Sequence, residues 1–355
     1  MEELCRLFPH ADIFTHVLDR GILPSDLAGK DIKTSFIDNL PNARRWYKNY
    51  LPLMPMALEQ LDLRGYDLVI SSESGPAKGV LTSSETLHVC YCHTPMRYVW
   101  DLYHEYFAQS GRVKRFLMVP LLHYLRQWDR LSADRVDYFI ANSENVARRI
   151  AKHYRRDADV VYPPVDVDAF VSSDIVDDFY LMAGQLVPYK RADLAVRAFT
   201  RKGKRLVVIG GGEQLETLRK EAGLNVTLMG WQPEEVLRDY YARCRALIFP
   251  GEEDFGIVPV EAMSAGKPVI AFGKGGALET VVDGKTGVFF HEQTEDALLA
   301  AVERFEGMKN EFFPDEIRAH ACRFGPERFR TEMSRIIETQ LRAHARAMGR
   351  WDVQK

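Results

Sequence analysis

The sequence has no long hydrophobic run and no strong imbalance of charge. Within its 355 residues, no apolar stretch approaches the ~20 residues that a membrane-spanning helix needs. The formal net charge of −3 gives no electrostatic reason to expect a nucleic-acid partner. The first residues, Met1-Glu2-Glu3, are acidic rather than basic, so no signal peptide is expected. These absences favour a cytoplasmic protein.

Two kinds of short motif are also missing. The five cysteines are scattered and form no C-x-x-C pair, which argues against a zinc site and favours a reduced compartment. Residues 210–212 are three glycines after an apolar run, but no G-x-G-x-x-G follows. This disfavours a nicotinamide-dependent dehydrogenase, and the glycines are expected instead to allow a close backbone approach.

Short apolar runs alternate with helical stretches along most of the chain. Strands are expected at residues 11–17, 68–70, 87–91, 136–141, 180–186, 205–209, 226–229, 246–249, 269–272 and 287–290. Asn142 and Ser143 are expected to cap a helix that ends near residue 153. Such alternation predicts parallel sheets covered on both faces. The length predicts two domains, at residues 1–165 and 179–323, with a linker at 166–178 and a helical segment at 324–355.

Residues 251–266, GEEDFGIVPVEAMSAG, are the most informative segment. They follow a predicted strand closed by Pro250 and lead into a helix predicted to start near Val260. A glycine turn at a helix N-terminus suits an anion, because unpaired N–H groups and the helix dipole point at it. Glu253 and Glu261 flank that turn, and carboxylates suit sugar and ribose hydroxyls. The segment therefore suggests a sugar nucleotide, although a helix-capping pair of acids is the simpler alternative.

Six segments in order carry a resemblance that covers almost the whole chain: YLPLMPMALEQLDLRGYDLVISS, CHTPMRYVWD, DYFIANSENVARRI, VVYPPVDVDAF, GQLVPYKRADLAVRAF and EDFGIVPVEAMSAGKPVIAFGKGGALETV. The chain resembles retaining glycosyltransferases of family 4, in particular the bacterial mannosyltransferases of O-antigen and exopolysaccharide assembly. The resemblance implies the GT-B fold, an α/β architecture in which two Rossmann-like parallel-sheet domains face a cleft. It also implies GDP-mannose as donor and a lipid-linked saccharide as acceptor, on the cytoplasmic side of the membrane.

The resemblance assigns roles to individual residues. Lys190 would hold the donor diphosphate, Glu253 would contact the transferred sugar, and Glu261 would bond the ribose. The arginine that the family has five positions before the lysine is Gln185 here, and Arg191 is the candidate to compensate. A solvated lysine at a helix start is the alternative for Lys190.

Further positions complete the predicted site. His93 would lie in the cleft near the donor sugar, with a structural histidine as the alternative, and Arg97 is a weaker candidate on the acceptor side. Gly275 and Gly276 would close the site beside the acceptor. The remaining expected donor contacts are Gly211, Gly230, Trp231, Asp254, Phe255, Gly256, Ile257 and Val258. Asp166-Val167-Asp168 looks like a metal-binding motif but falls in the predicted linker, and GT-B enzymes generally need no metal, so neither metal nor cofactor is expected.

Residues 112–130 have two interpretations of equal weight. Arg112, Lys114, Arg115, Arg126 and Arg130 alternate with Phe116, Leu117, Leu121, Leu125 and Trp128 at near-helical spacing. This pattern fits a helix held on anionic lipid, and it equally fits a domain-packing helix with a basic outer face interrupted by Pro120.

Members of the family open with a buried strand and a Gly-Gly loop that this sequence lacks. Three explanations remain open: a start further upstream, which we favour, a natural truncation, or a loss that weakens catalysis. A sugar-nucleotide-binding relative without catalysis is an alternative function, supported by the missing glycine loop and by Gln185. A GT-B sugar-nucleotide epimerase is a further alternative.

Overall fold

A computed structural model describes residues 1–27, 29–101, 103 and 111–349. The chain forms two compact units, one made of Met1–Val161 with Arg330–Lys355 and the other of Tyr162–Phe329. None of the helices in the described part of the chain has the length and apolar character that a membrane span requires.

The N-terminal unit contains two separate parallel sheets. Strands β1 (Ile13–Thr15) and β2 (Ile32–Thr34) pair only with each other in the described residues. The second sheet has the order β3-β4-β5-β6 and consists of β3 (Leu68–Glu73), β4 (Leu87–Cys92), β5 (Tyr138–Ala141) and β6 (Ala158–Val160). The helices of this part are α1 (Glu2–Leu7), α2 (Ala43–Trp46), α3 (Met54–Glu59), α4 (Arg112–Ala133) and α5 (Glu144–Tyr154).

The start of α5 follows from its sequence as predicted. The Ser143 hydroxyl accepts the Val146 backbone N–H at 3.1 Å and so caps the helix. Val146, Ile150 and Tyr154 recur at helical spacing and are fully buried, packing against β4 and β5. By contrast, β2 and β6 were not predicted, because each has only three residues with a polar one in the middle.

The C-terminal unit contains one six-stranded parallel sheet with the order β12-β11-β10-β7-β8-β9. Except for the edge strand at residues 226–230, its strands are almost wholly buried, which agrees with their apolar sequences. They are β7 (Tyr180–Ala183), β8 (Leu206–Ile209), β9 (Val226–Gly230), β10 (Leu247–Phe249), β11 (Val269–Phe272) and β12 (Gly287–Phe290). Its α-helices are α6 (Ala192–Lys202), α7 (Leu215–Glu221), α8 (Glu234–Arg243), α9 (Ile257–Ser264), α10 (Ala277–Thr280), α11 (Glu295–Gly307) and α12 (Pro314–Ala321). Helix α13 (Pro326–Ala347) begins in this unit and belongs to the N-terminal unit from Arg330 onward.

All six strands predicted for this half are present. The run at residues 180–186 ends earlier than predicted, because Gly184 has a φ of 125° and turns the chain away. The helix predicted near Val260 begins three residues earlier, at Ile257. The strand order reverses between β7 and β10, and in an open parallel sheet that reversal is where ligands bind beyond the carboxyl ends.

The units divide between Val161 and Tyr162, rather than within residues 166–178 as the sequence suggested. The predicted linker belongs to the C-terminal unit, because the Val165 N–H donates to the Phe324 carbonyl at 2.9 Å and Phe170 packs edge-on against Tyr241. Residues from Arg330 onward belong to the N-terminal unit, where Arg330 forms an ion pair with Glu3.

Candidate functional site

Lys190 and Glu253 meet where the strand order of the C-terminal sheet reverses. Lys190 ends a short turn after β7, and Glu253 lies in the loop after β10. The lysine Nζ is 2.9 Å from Glu253 Oε1, and the two side chains are 16% and 18% exposed. From the sequence, Lys190 was expected to hold the donor diphosphate and Glu253 to contact the transferred sugar. In the structure the two side chains contact each other directly.

Glycines allow the loop after β10 to lie against its neighbours. A Cβ added at Gly251 would lie 2.7 Å from the Lys190 Cα. A Cβ at Gly275 would lie 2.4 Å from the Glu253 carbonyl oxygen, to which the Gly276 N–H donates at 2.9 Å. The predicted acceptor-side glycines therefore hold the Glu253 loop in place.

The loops after β7 and β8 are joined in the same way. A Cβ at Gly210 would overlap the Gly184 carbonyl oxygen at 1.8 Å, and Gly210 has a φ of 145°. The Leu186 N–H donates to the Gly211 carbonyl at 2.8 Å. The glycine run thus serves close approach between loops, which was the sequence interpretation.

Glu261 lies one turn into α9 and has a partner that the sequence did not indicate. The hydroxyl of the fully buried Tyr241 donates to Glu261 Oε2 at 2.8 Å. Burial raises the pKa of Glu261, and the Tyr241 hydrogen bond opposes that rise. Burial and the neighbouring Glu261 raise the pKa of Tyr241 well above its usual range. Tyr241 therefore remains a hydrogen-bond donor to this carboxyl.

The other predicted donor contacts fall into three groups. Gln185 is exposed, and Arg191 is directed at Asp193 (3.2 Å) and Gln293 (3.2 Å). Phe255 is buried against Tyr162 and Phe324, so its side chain is a packing residue. The remaining residues lie at the turn into α9 or at the ends of neighbouring strands. They are Gly230, Asp254, Gly256, Ile257 and Val258, together with Trp231, whose side chain is 77% exposed.

His93 follows β4 in the N-terminal unit and contacts Ser72 at the end of β3. His93 Nε2 is 2.9 Å from the Ser72 hydroxyl, and the imidazole packs edge-on against Tyr91. Burial, with a smaller effect of the chain's amino terminus, lowers the pKa of His93 to about 4. The imidazole is therefore neutral near pH 7 and can accept or donate a hydrogen bond. Arg97 is partly buried in the following segment.

Two parallel-sheet α/β units, one with a Lys–Glu pair at its strand-order reversal, define a protein of the GT-B class. Two family models match in succession, "Glycosyltransferase Family 4" over residues 1–169 and "Glycosyl transferases group 1" over residues 170–319. The chain belongs to glycosyltransferase family 4.

The curated relatives include two kinds of glycosyltransferase. Alpha-1,3/1,6-mannosyltransferase ALG2 of Dictyostelium discoideum is 28% identical, over 65% of this chain and 65% of its own length. A D-inositol 3-phosphate glycosyltransferase of Streptomyces scabiei is 27% identical, over 62% of this chain and 65% of its own. The chain thus spans just under two thirds of the length of these relatives.

Solved structures with the same fold cover nearly the whole chain. Sucrose-phosphate synthase from Thermosynechococcus elongatus has a TM-score of 0.75 at 19% identity and covers 96% of this chain and 92% of its own. Anabaena HepE, solved with UDP and glucose, has a TM-score of 0.68 at 17% identity and covers 95% of each chain. At these identities the likeness concerns the fold alone.

Proposed function

We propose that this protein is a retaining glycosyltransferase that moves mannose from GDP-mannose onto a lipid-linked oligosaccharide or polysaccharide. The observation that carries the proposal is the partly accessible Lys190–Glu253 pair beside the N-terminus of α9. The mannosyltransferases among the relatives, at 28% and 27% identity, favour mannose over other hexoses.

The ion pair suggests how the donor enters. A diphosphate carries more negative charge than Glu253 and attracts Lys190 as a point charge. Binding would therefore draw the lysine from the carboxylate and free Glu253 to accept hydrogen bonds from the sugar. The backbone N–H groups of residues 256–258 open α9 and would add to the stabilisation of the leaving diphosphate.

Glu261 would hold the ribose. Tyr241 fixes one of its carboxylate oxygens, and the other oxygen can accept from the ribose hydroxyls. In the retaining reaction the acceptor hydroxyl would attack from the face that the diphosphate leaves, and a phosphate oxygen would take its proton. His93, neutral near pH 7, would orient the sugar by a hydrogen bond.

The reaction is proposed to need no metal ion, because Lys190 and the α9 N-terminus can stabilise the leaving group. Asp166 and Asp168 are both exposed, and Asp168 lies 3.6 Å from Arg318. Transfer should therefore persist in EDTA.

A donor screen tests the proposal. Thermal unfolding is measured with GDP-mannose, UDP-glucose and UDP-N-acetylglucosamine, and GDP-mannose is expected to stabilise most, by ~2.7 kcal/mol at a hundred times its Kd. A larger shift with a UDP-sugar would overturn the donor assignment. Transfer is then assayed with radiolabelled donor and extracted lipid-linked saccharides. Binding without transfer would indicate a non-catalytic relative, and donor turnover without acceptor would indicate an epimerase.

We also propose that α4 touches the membrane that carries the acceptor. Leu125 and Trp128 are buried in the N-terminal unit, as expected for a helix that packs within its domain. Phe116, Tyr124 and Leu131, by contrast, are 79%, 48% and 62% exposed. Arg126 stacks on Trp100 and Tyr103, and Arg130 pairs with Asp134. The side chains of Arg112, Lys114 and Leu117 lie outside the described residues.

Sedimentation with vesicles tests this contact. Vesicles containing 30% phosphatidylglycerol, chosen as an anionic surface, should pellet the protein at low salt, and pure phosphatidylcholine vesicles should pellet less. The Phe116→Ser/Tyr124→Ser double variant should pellet less, while Ile22→Ser, which changes another exposed apolar residue, should behave as wild type. Equal pelleting of the three proteins would exclude this surface.

A further inference from the structure

Two serine–histidine pairs of the N-terminal unit are built on the same two strands. Ser71 and Ser72 are adjacent in β3, so their side chains point to opposite faces of the sheet. Ser71 contacts His88 of β4, and Ser72 contacts His93, which directly follows β4. In each pair the serine Oγ is 2.9 Å from the histidine Nε2. The two pairs therefore share one contact geometry and differ in what surrounds it.

The Ser71–His88 pair is closed on both sides. His88 Nδ1 is 3.3 Å from the Arg135 carbonyl oxygen, which can only accept, so the ring hydrogen is on Nδ1. Nε2 then accepts from the Ser71 hydroxyl. Burial lowers the pKa of His88 to about 4, so the ring is neutral near pH 7. Because both nitrogens have partners and the side chain is fully buried, His88 has a structural role.

The Ser72–His93 pair is closed on one side. Among the described residues His93 Nδ1 has no hydrogen-bond partner, and it is not one of their buried unpartnered atoms, so solvent reaches it. The ring is nevertheless held in place. Tyr91 packs edge-on against it at 5.0 Å, and the Tyr91 hydroxyl donates to the Val161 carbonyl. His93 thus presents Nδ1 to a ligand from a ring with a fixed orientation.

The Ser72 hydroxyl determines which nitrogen of His93 carries the hydrogen. Burial lowers the pKa of His93 to about 4, so near pH 7 the ring has one hydrogen. Within the described part of the chain, the hydrogen-bond partner of the partly buried Ser72 hydroxyl is His93 Nε2 alone. If Nε2 donated, the hydroxyl hydrogen would lack an acceptor among these residues, which is unfavourable for a partly buried group. If the hydroxyl donates, both groups are satisfied and the ring hydrogen is on Nδ1, as in His88.

We propose that Ser72 is a positioning residue whose hydroxyl donates to His93 Nε2 and so holds His93 as a donor, through Nδ1–H, to an oxygen of the transferred sugar. The proposal rests on the proposed function, in which His93 contacts that sugar. Nδ1 with its hydrogen has no lone pair to accept a proton. His93 therefore orients the sugar and is not the base that deprotonates the acceptor.

Nitrogen NMR of protein isotopically labelled at its histidine nitrogens tests the tautomer without any substrate. The nitrogen that carries the hydrogen is distinguished by its chemical shift, and His93→Asn identifies the His93 signals. Wild type at pH 7 should have the hydrogen on Nδ1. Ser72→Ala should show both tautomers, and Ser72→Thr, which keeps a hydroxyl, should restore the wild-type signals. Ser71→Ala is the matched control, because the Arg135 carbonyl should still hold the hydrogen of His88 on Nδ1.

Transfer from GDP-mannose is then measured with the same variants. Ser72→Ala should lower kcat/KM by about 3- to 10-fold, the range for one misplaced hydrogen bond, and Ser72→Thr should remain within about twofold of wild type.

The outcomes separate the two proposals. Hydrogen on Nε2 in the wild type, or the same tautomer in wild type and Ser72→Ala, would overturn the role of Ser72. A changed tautomer in Ser72→Ala with unchanged kcat/KM would overturn the contact between Nδ1–H and the sugar. If no sugar nucleotide is turned over by the wild type, the proposed function fails, and the spectra still decide whether Ser72 sets the tautomer of His93.

Discussion

Each unit places a lysine next to a carboxylate near the end of a strand, and the two lysines differ in their surroundings. Lys78 contacts Asp129 and lies 3.3 Å from Glu73 Oε1, and all three side chains have 0% exposure. Among the described residues Lys190 has one carboxylate partner, Glu253, at 2.9 Å, and both side chains keep some contact with solvent. The first cluster cannot exchange partners without unfolding its surroundings, whereas the second can accept a ligand in place of its carboxylate.

The buried cluster is completed by other hydrogen bonds. Asp129 accepts the Trp100 indole N–H at 2.7 Å and the Tyr154 hydroxyl at 3.0 Å. Burial raises the pKa of Glu73 to about 7, against the opposing effect of Lys78. Such a network is costly to break once it is desolvated, although it need not add net stability over an apolar core. We therefore assign it to structure rather than to catalysis.

Removal of Lys78 is expected to have the largest effect on stability. Lys78→Met would leave two buried carboxylates without their cation and should lower the free energy of unfolding by about 3–5 kcal/mol. Urea denaturation measures this. Lys274→Met is the matched control, because Lys274 forms an exposed pair with Glu252 that should contribute about 0–1 kcal/mol. Equal losses in the two variants would contradict the structural role of the cluster.

Lys190→Ala should reduce activity strongly and stability little, which is the opposite of what is expected for Lys78→Met. It removes the proposed diphosphate contact, so kcat/KM should fall by at least ~10². The free energy of unfolding should change by less than about 1 kcal/mol, since the ion pair with Glu253 is partly solvated. Lys202→Ala is the control in the same unit, because Lys202 forms an exposed pair with Glu303 and has no proposed part in donor binding. Near-wild-type turnover of Lys190→Ala would remove the lysine from the mechanism.

The sequence predicted the strand β10, the loop after it and the start of a helix near that loop, because the signals for these elements are local. Glu253, Gly256 and Glu261 lie within one short segment, and the buried strand before it is recognisable from its apolar residues. The partners Lys78 and Asp129 are 51 positions apart, and Asp129 belongs to a stretch whose pattern showed only an amphipathic helix. The position of β3 at an edge of its sheet, among the residues that the structure describes, also depends on strand order, which local periodicity does not contain.

Acid should affect the N-terminal unit through His93. Its pKa is about 4 in the fold, against 6.5 for an ordinary histidine, so the folded state favours the neutral imidazole. As pH falls from 6.5 toward 4, the unfolded chain takes up a proton that the folded chain does not, and stability is lost. At pH 5 this amounts to about 2 kcal/mol. Urea denaturation at pH 7 and pH 5 measures the loss, which should be smaller by about that amount in His93→Asn. An unchanged pH dependence in the variant would mean that other groups control the acid response.

Tyr241→Phe should have the smallest effect on stability and activity among these variants, and it tests the role of Glu261 in the C-terminal unit. It removes the hydroxyl that holds Glu261 Oε2, while the ring stays packed against Phe170. Loss of one hydrogen bond to a carboxyl should cost roughly 1–2 kcal/mol. If Glu261 holds the ribose, part of that cost should appear as a 3- to 10-fold rise in the donor KM, since about 1.4 kcal/mol corresponds to tenfold in affinity, with little change in kcat. Tyr240→Phe is the matched control, because Tyr240 packs against Phe179 instead. A lower kcat with unchanged KM would place Tyr241 in the chemical step and remove Glu261 from ground-state binding of the donor.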